Sequence, residues 1–97
     1  MDRQLACKAI DTFGIDYQIS KAIEEMAELT CELARYKNNI GMNINVIEEI
    51  ADVLITMTQM MEFFGSELVL GHVAIKERRL KKLIEDFSKV GENRQGG

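Results

Sequence analysis

Residues 15–37 read IDYQISKAIEEMAELTCELARYK, and residues 43–64 read NINVIEEIADVLITMTQMMEFF. In both stretches apolar residues recur three and four positions apart, and neither Pro nor Gly interrupts them. That spacing is typical of an amphipathic α-helix, because residues so spaced share one face. The two stretches therefore predict a second helix that has Asp16 as its N-cap and ends at a break over residues 37–41 (KNNIG), and a third helix that has Asn43 or Asn45 as its N-cap.

The apolar residues of these two helices define the predicted core. The second helix is expected to turn inward Ile19, Ala22, Ile23, Met26, Leu29, Leu33 and Tyr36, and the third Val46, Ile50, Val53, Leu54, Met57, Met60, Met61 and Phe64. Ile55 lies opposite the stripe of the third helix. A helix that is apolar on more than one side is buried on more than one side, so the third helix is predicted to be central or to form a subunit interface.

Two further helices complete the prediction. A short first helix is expected from about Arg3 to Thr12, with Leu5, Ala9 and Ile10 buried, and a fourth opens at Ser66 or Gly71 and runs to about Phe87. The inward residues of the fourth helix are predicted to be Val69, Val73, Leu80, Leu83, Ile84 and Phe87. The predicted fold is all-α, a small four-helix bundle forming one domain over residues 1–87, followed by a disordered polar tail over residues 88–97.

The size of the chain favours self-association. A chain of 97 residues buries only about two-thirds of its unfolded surface, which leaves a thin core unless subunits share one. Together with the two-sided third helix, this predicts a homodimer or homotetramer.

Charge and composition narrow the partners. The net charge is −4 and the pI about 5.0, which argues against a nucleic-acid polymer but permits a single nucleotide held through a divalent cation.

Cys7 and Cys31 lack metal-site spacing and are expected to be reduced thiols. The start lacks the pattern of a signal peptide and no apolar run reaches spanning length, so we expect a cytoplasmic protein without a membrane partner.

Two pairs of acidic residues are the candidate functional residues of the sequence. Glu25 and Glu28 lie three residues apart in the second helix, and Glu49 and Asp52 do so in the third, so each pair shares one helix face. Like charges at this spacing repel unless something positive lies between them. A single such pair is more often a solvated face. Asp52, however, is a poor helix former among apolar neighbours, which makes solvation a weaker explanation.

Both helices carry a narrow polar strip, formed by Lys21, Glu25, Glu28 and Glu32 on the second and by Glu49, Asp52, Thr56 and Gln59 on the third. The short connection predicts antiparallel packing, so the strips can face each other and bring four carboxylates together. Hard oxygen ligands in this number suit Mg²⁺, with Mn²⁺ as the alternative, and Mg²⁺ commonly shares its shell with substrate phosphates. A ferritin-like di-iron site requires Glu-x-x-His motifs, and the single histidine, His72, is in none.

These motifs resemble those of the MazG-like, all-α nucleotide pyrophosphohydrolases, whose hallmark is ExxE followed by ExxD. The hallmark appears as Glu25-x-x-Glu28 and Glu49-x-x-Asp52, and the flanking segments QISKAIEEMAEL (residues 18–29) and IEEIADVLI (residues 47–55) are similar to family segments. The resemblance extends from about Phe13 to Leu83. It implies the family fold, an oligomer, and a Mg²⁺-dependent enzyme that cleaves a nucleoside triphosphate to the monophosphate and pyrophosphate, as in nucleotide-pool house-cleaning.

By the same resemblance, Glu25, Glu28, Glu49 and Asp52 are the expected catalytic residues and Mg²⁺ ligands. Lys21, Lys76 and Arg79 are candidates for binding the substrate phosphates. Their alternative roles are structural: Lys21 can pair with Glu25 one helical turn away, and the basic residues of the fourth helix can form a solvated face. Glu32 is a candidate helper, and Phe13 or Tyr17 could stack on a base.

The sequence also permits two alternative functions. One is a sibling enzyme specialised for dUTP, dCTP or phosphoribosyl-ATP, since the residues that read base and sugar are spread over several helices. The other is a non-catalytic helical interaction module that keeps a degenerate form of the fold. The presence of all four motif acids, including Asp52 in an apolar helix, argues against the second.

Overall fold

The structure, a computed structural model, describes the backbone of residues 1–96 and the side chains of residues 1–91. Its elements are α1 (Arg3–Phe13), α2 (Ile15–Lys37), α3 (Asn43–Phe64) and α4 (Ser66–Gly96). No strand occurs within the described backbone, so the all-α prediction is confirmed.

The helices fall into two compact units. The first, Met1–Gly65, contains α1, α2 and α3, and the second begins at Ser66 and contains α4. Within the first unit α3 packs against both α2 and α1, and its contact with α2 is the more extensive. The prediction that α3 is central is confirmed for this unit.

A single glycine joins α1 to α2. Gly14 has φ 85° and ψ 153°, a conformation essentially restricted to glycine, and its N–H donates to the Ile10 carbonyl at 2.8 Å. Its own carbonyl accepts from the Gln18 N–H at 3.1 Å, so the residue that ends α1 also begins α2. The N-cap predicted at Asp16 is wrong, and so is the one predicted at Asn43 or Asn45, because Met42 is the N-cap of α3. Asp16 lies in the first turn of α2, where a carboxylate interacts favourably with the helix dipole.

The end of α2 reverses the chain through a Schellman motif. Asn39 adopts the left-handed conformation, with φ 62°, and its N–H donates to the Tyr36 carbonyl at 3.0 Å. The Ile40 N–H donates to the Arg35 carbonyl, also at 3.0 Å. Gly41 follows where an added Cβ would lie 2.9 Å from the Tyr36 nitrogen, so this approach requires glycine. The motif places α3 antiparallel to α2.

The interior of the first unit is largely polar. Gln18 and Glu25 from α2 and Thr56 and Gln59 from α3 are all buried. Among the described side chains, the buried hydrophobic ones are Ala6 and Ala22. The α2–α3 interface is therefore built on the two polar strips.

The prediction of an apolar core is therefore wrong for many residues, because they are exposed in the single chain. Exposed residues among those predicted to be inward are Leu5 on α1, Ile23, Met26, Leu33 and Tyr36 on α2, and Ile50, Leu54 and Phe64 on α3. The physical reason is the rotation of α2, which turns the face containing Gln18 and Glu25 toward α3 and leaves the neighbouring apolar stripe outward. Ile19, Leu29, Val53 and Met57 are half-buried at the border.

Helix α4 begins at Ser66, one of the two predicted start positions, and continues past Phe87 to Gly96. Its predicted inward residues Val73, Leu80, Leu83, Ile84 and Phe87 are exposed, as is its basic face. The predicted disordered tail, residues 88–97, lies partly outside the described residues and stays a prediction.

No single described helix is both long and apolar enough to span a membrane, and α3 with α4 meets those criteria only as a pair broken at Gly65.

Candidate metal centre and adjoining cavity

Three carboxylates meet across the α2–α3 interface. Glu25 on α2 and Glu49 and Asp52 on α3 each place one carboxylate oxygen within 4.8 Å of the others. The i, i+3 spacing puts Glu49 and Asp52 on one face of α3, and the antiparallel register set by the Schellman motif brings that face opposite Glu25. The prediction that the two polar strips face each other is confirmed.

The fourth predicted carboxylate, Glu28, lies beside Glu49. It is exposed, and its negative charge is, after desolvation, the next cause that raises the pKa of the Glu49 carboxyl group. Glu28 is exposed like Asp52, whereas Glu49 is half-buried and Glu25 is buried. All four acids named from the sequence therefore belong to one constellation, which we call the carboxylate cluster: Glu25, Glu28, Glu49 and Asp52.

The environment of Glu25 opposes its ionisation. Its residue surface is only 7% exposed, and this burial is the main reason why the pKa of its carboxyl group is raised. The charges of Glu28 and Asp52 raise the pKa further. Lys21 acts in the opposite direction, with its Nζ 3.4 Å from Glu25 Oε1. The ammonium group of Lys21 lowers the pKa of Glu25 by less than desolvation and the negative neighbours raise it.

Glu49 is perturbed in the same direction. Desolvation is again the first cause of its raised pKa, followed by the negative charges of Glu28, Asp52 and Glu25. Two members of the cluster are therefore poorly accommodated as free anions. A cation placed among these oxygens would reverse this effect, because it favours the ionised form of every carboxylate around it.

The cluster also leaves hydrogen-bonding capacity unused. Glu25 Oε2 and Glu49 Oε2 are buried oxygens that accept no hydrogen bond from the described residues, and Glu32 Oε2 is in the same condition on the strip of α2. Buried polar atoms normally have partners, so each such atom requires an explanation. Carboxylate oxygens that converge and lack donors fit a hard divalent cation such as Mg²⁺ or Mn²⁺. Glu25, Glu49 and Asp52 would hold it, with Glu28 alongside.

The predicted phosphate-binding cations lie in different places. Lys21 pairs with Glu25 and also lies 3.7 Å from Glu24 Oε2. These two carboxylates, Glu24 foremost, raise the pKa of the Lys21 ammonium, so it is held as a cation beside the cluster. Lys76 and Arg79 are exposed residues of α4, in the second unit, and their role in phosphate binding stays a prediction.

A cavity of about 240 Å³ adjoins the carboxylate cluster inside the first unit. Its apolar lining consists of Ala9, Phe13, Tyr17 and Ile55, and its polar lining of Gln18, Lys21, Glu25, Asp52, Thr56 and Gln59. Because Glu25 and Asp52 belong to both features, a ligand bound in the cavity would touch the carboxylate cluster directly. The Phe13 and Tyr17 rings lie side by side, with centroids 5.4 Å apart.

The sequence did not identify three polar residues of this cavity as site residues, namely Gln18, Thr56 and Gln59. Gln59 appeared only as a member of the polar strip of α3. A signal for Gln18 was present, since it lies seven positions before Glu25, two helical turns along the same face. Gln59 lies seven positions after Asp52 on α3. Extending the strip of α2 by one turn, from Lys21 back to Gln18, would have found Gln18, and Gln59 already belonged to the strip of α3.

Comparison with known proteins finds no family model, no curated protein and no solved structure that matches the chain.

Proposed function

We propose that the protein is a Mg²⁺-dependent nucleoside triphosphate pyrophosphohydrolase of the MazG-like kind. The observation that carries the proposal is the carboxylate cluster, whose buried oxygens on Glu25 and Glu49 lack donors and whose charges repel one another. Such an arrangement is stabilised by a divalent cation. The adjoining cavity supports the choice of a nucleotide, because it gives an organic group a place next to the metal site.

The reaction is hydrolysis at the bridge between the α and β phosphates. Water adds to a phosphorus atom at this bridge, the bond from that phosphorus to the bridging oxygen breaks, and the products are the nucleoside monophosphate and pyrophosphate. Bound Mg²⁺ supplies neutralisation of the phosphate charge and a lowered pKa of the attacking water.

The residues of the chain have separate tasks in this proposal. Glu25, Glu49 and Asp52 would hold the cation, and Glu28, which is exposed and lies outside this group of three ligands, would accept the proton that the water loses. Lys21 keeps a positive charge at the edge of the cavity, where it orients an incoming phosphate while pairing with Glu25. No covalent intermediate is needed.

The functional form is proposed to be a homodimer or homotetramer. Large apolar side chains line the outer faces of α2 and α3, among them Ile23, Met26, Ile47 and Leu54, while the buried hydrophobic residues of the described chain are two alanines. Exposed apolar surface on this scale is typical of an interface. Burial of these faces against a second copy would supply the hydrophobic core that the single chain lacks.

The deciding experiment measures pyrophosphate release from a panel of ribo- and deoxyribonucleoside triphosphates, including dUTP and dCTP, with phosphoribosyl-ATP alongside. Each substrate is tested with Mg²⁺, with Mn²⁺ and with excess chelator. The variant Glu49→Gln removes one ligand charge, and Glu48→Gln is its matched control, because it makes the same chemical change at an exposed neighbouring position.

Metal-dependent release that Glu49→Gln reduces at least about 100-fold, with Glu48→Gln unchanged, supports the proposal. A single preferred substrate among dUTP, dCTP and phosphoribosyl-ATP would identify a specialised sibling. Absence of release from the entire panel by folded, metal-loaded protein would favour a non-catalytic interaction module.

A further inference from the structure

The end of the cavity away from the carboxylate cluster carries two buried carboxamides. Gln18 on α2 is 3% exposed and Gln59 on α3 is 6% exposed, and both line the cavity. Gln59 Oε1 has no hydrogen-bond partner among the described residues. A buried amide oxygen without a donor is costly in a folded protein, so this side chain indicates a ligand.

The positions of the two glutamines fix their distance from the cluster. Gln18 precedes Glu25 by seven residues, and Gln59 follows Asp52 by seven residues, on helices that run antiparallel. At 1.5 Å per residue both amides lie about 10 Å along the helices from the carboxylates, and on the same side of them. The cavity therefore has a charged end and an uncharged hydrogen-bonding end.

We propose that the uncharged end binds the nucleobase of the substrate, with the carboxamides of Gln18 and Gln59 hydrogen-bonding to its edge. This inference rests on the proposed function, because the same nucleotide would place its phosphates at the carboxylate cluster. Each carboxamide offers a donor and an acceptor side by side, and the edges of nucleobases carry donors and acceptors in the same arrangement. Gln18 and Gln59 are thus assigned as specificity-determining residues.

The remaining walls suit a flat aromatic ligand. Phe13 and Tyr17 present two rings inclined by 33° to each other, and Ile55 adds an apolar contact. Aromatic side chains stack on bases of any sequence, whereas the amides distinguish one edge from another. A volume of about 240 Å³ is below the range typical of a pocket that encloses a whole drug-sized ligand, which fits a base whose ribose and phosphates extend outward.

The test replaces each amide by a side chain of similar length. In Gln59→Met and Gln18→Met the shape is retained and the hydrogen bonds are lost, and Gln4→Met is the control on the exposed surface of α1. We expect kcat/KM for the preferred nucleotide to fall about 10- to 100-fold, which corresponds to the loss of one well-formed amide–base pair. The kcat/KM values for the other nucleotides are expected to fall less, so the differences in kcat/KM among bases become smaller. Gln4→Met leaves the spread unchanged.

A baseless probe separates recognition of the base from damage to the cluster. Hydrolysis of inorganic tripolyphosphate with Mg²⁺ is measured in parallel, and its rate is expected to be the same in the wild type and in both amide variants. An equal fall for all nucleotides and for tripolyphosphate would overturn the assignment, because the amides would then support the structure of the site and not the choice of base.

A second readout is independent of catalysis. Nucleoside monophosphates are titrated into the metal-free protein while the side-chain amide resonances of Gln18 and Gln59 are followed by NMR. Shifts of these resonances that depend on the base, and that exceed those of Gln4, are the expected result even if no nucleotide is hydrolysed. Unshifted amides with every base would overturn the inference, whereas absence of hydrolysis alone would overturn only the proposed enzymatic reaction.

Discussion

A carboxylate oxygen of Glu25 on α2 lies within 4.8 Å of one from Asp52 on α3, and Lys21, on the same helix as Glu25, pairs with Glu25. Both residues carry negative charge when ionised, and Glu25 is buried. Two like charges at this separation in a poorly solvated interface repel strongly. Because of this repulsion, we expect the free energy of unfolding of the first unit to depend on divalent cations and on pH.

Mg²⁺ is expected to stabilise the folded protein. A ligand that binds only the folded state at about 100 times its Kd contributes about 2.7 kcal/mol, which raises the Tm of a domain of this size by on the order of 10 °C. Differential scanning calorimetry of the wild type with Mg²⁺ and with chelator measures the shift. Glu25→Gln and Asp52→Asn should lose most of it, and Glu48→Gln should keep it. An equal Mg²⁺ response in all four proteins would contradict a metal site at the cluster.

The pH dependence of the metal-free protein is expected to run against the usual direction for acidic groups. The pKa values of Glu25 and Glu49 are raised above the ordinary 4.5 in the folded chain, mainly by burial. The folded state then binds protons more tightly than the unfolded state, so this contribution is most favourable below pH 4.5 and is lost as the pH rises through the raised values.

Urea unfolding in chelator, from about pH 4 to about pH 8, isolates this contribution when the wild type is compared with Glu49→Gln. The variant should be the more stable protein at neutral pH, and its advantage should disappear in acid. Glu48→Gln makes the same change of charge without the burial and should show no such trend. A difference between wild type and Glu49→Gln that is constant over the entire range would refute the explanation.

Self-association is expected to depend on the outward apolar faces. Light scattering of the wild type should give a dimer or tetramer, and Ile23→Glu or Leu54→Glu should shift the protein toward monomer, because either change would bury a charge in the interface. Ser20→Glu, at an exposed polar position of α2, should retain the assembly. A wild type that remains monomeric at working concentration would rule out the proposed assembly.

Gly14 is expected to be intolerant of substitution although there is space for a side chain. Nothing lies within 4 Å of an added Cβ, but φ of 85° with ψ of 153° is strained for any other residue, so Gly14→Ala should destabilise the protein by about 1–3 kcal/mol. Gly71→Ala has the same open space within a regular helix and should stabilise by about 0.5–1 kcal/mol. Chemical denaturation of the two variants checks the contrast, and similar effects would contradict the role of backbone strain.

Helix α2 shows which features could be predicted from the sequence and which could not. Its periodicity predicted a helix ending near Lys37, and the Asn-Asn-Ile-Gly segment that follows predicted the break, because these signals are local and depend on backbone preferences. The same periodicity was misleading about which face turns inward. Ile23 and Leu33 lie on a proper apolar stripe, yet they are exposed, while Gln18 and Glu25 are buried.

The sequence by itself determined the helices, their breaks and the pairing of acids at i, i+3, since each of these follows from residues close together in the chain. Only the tertiary structure decided that Glu25 meets Glu49 and Asp52, that Gln18 and Gln59 end in one cavity, and that the apolar stripes face outward. These relationships depend on the register and rotation of α2 against α3. A rotation of either helix by one residue, about 100°, would remove its acids from the interface without changing a single local signal.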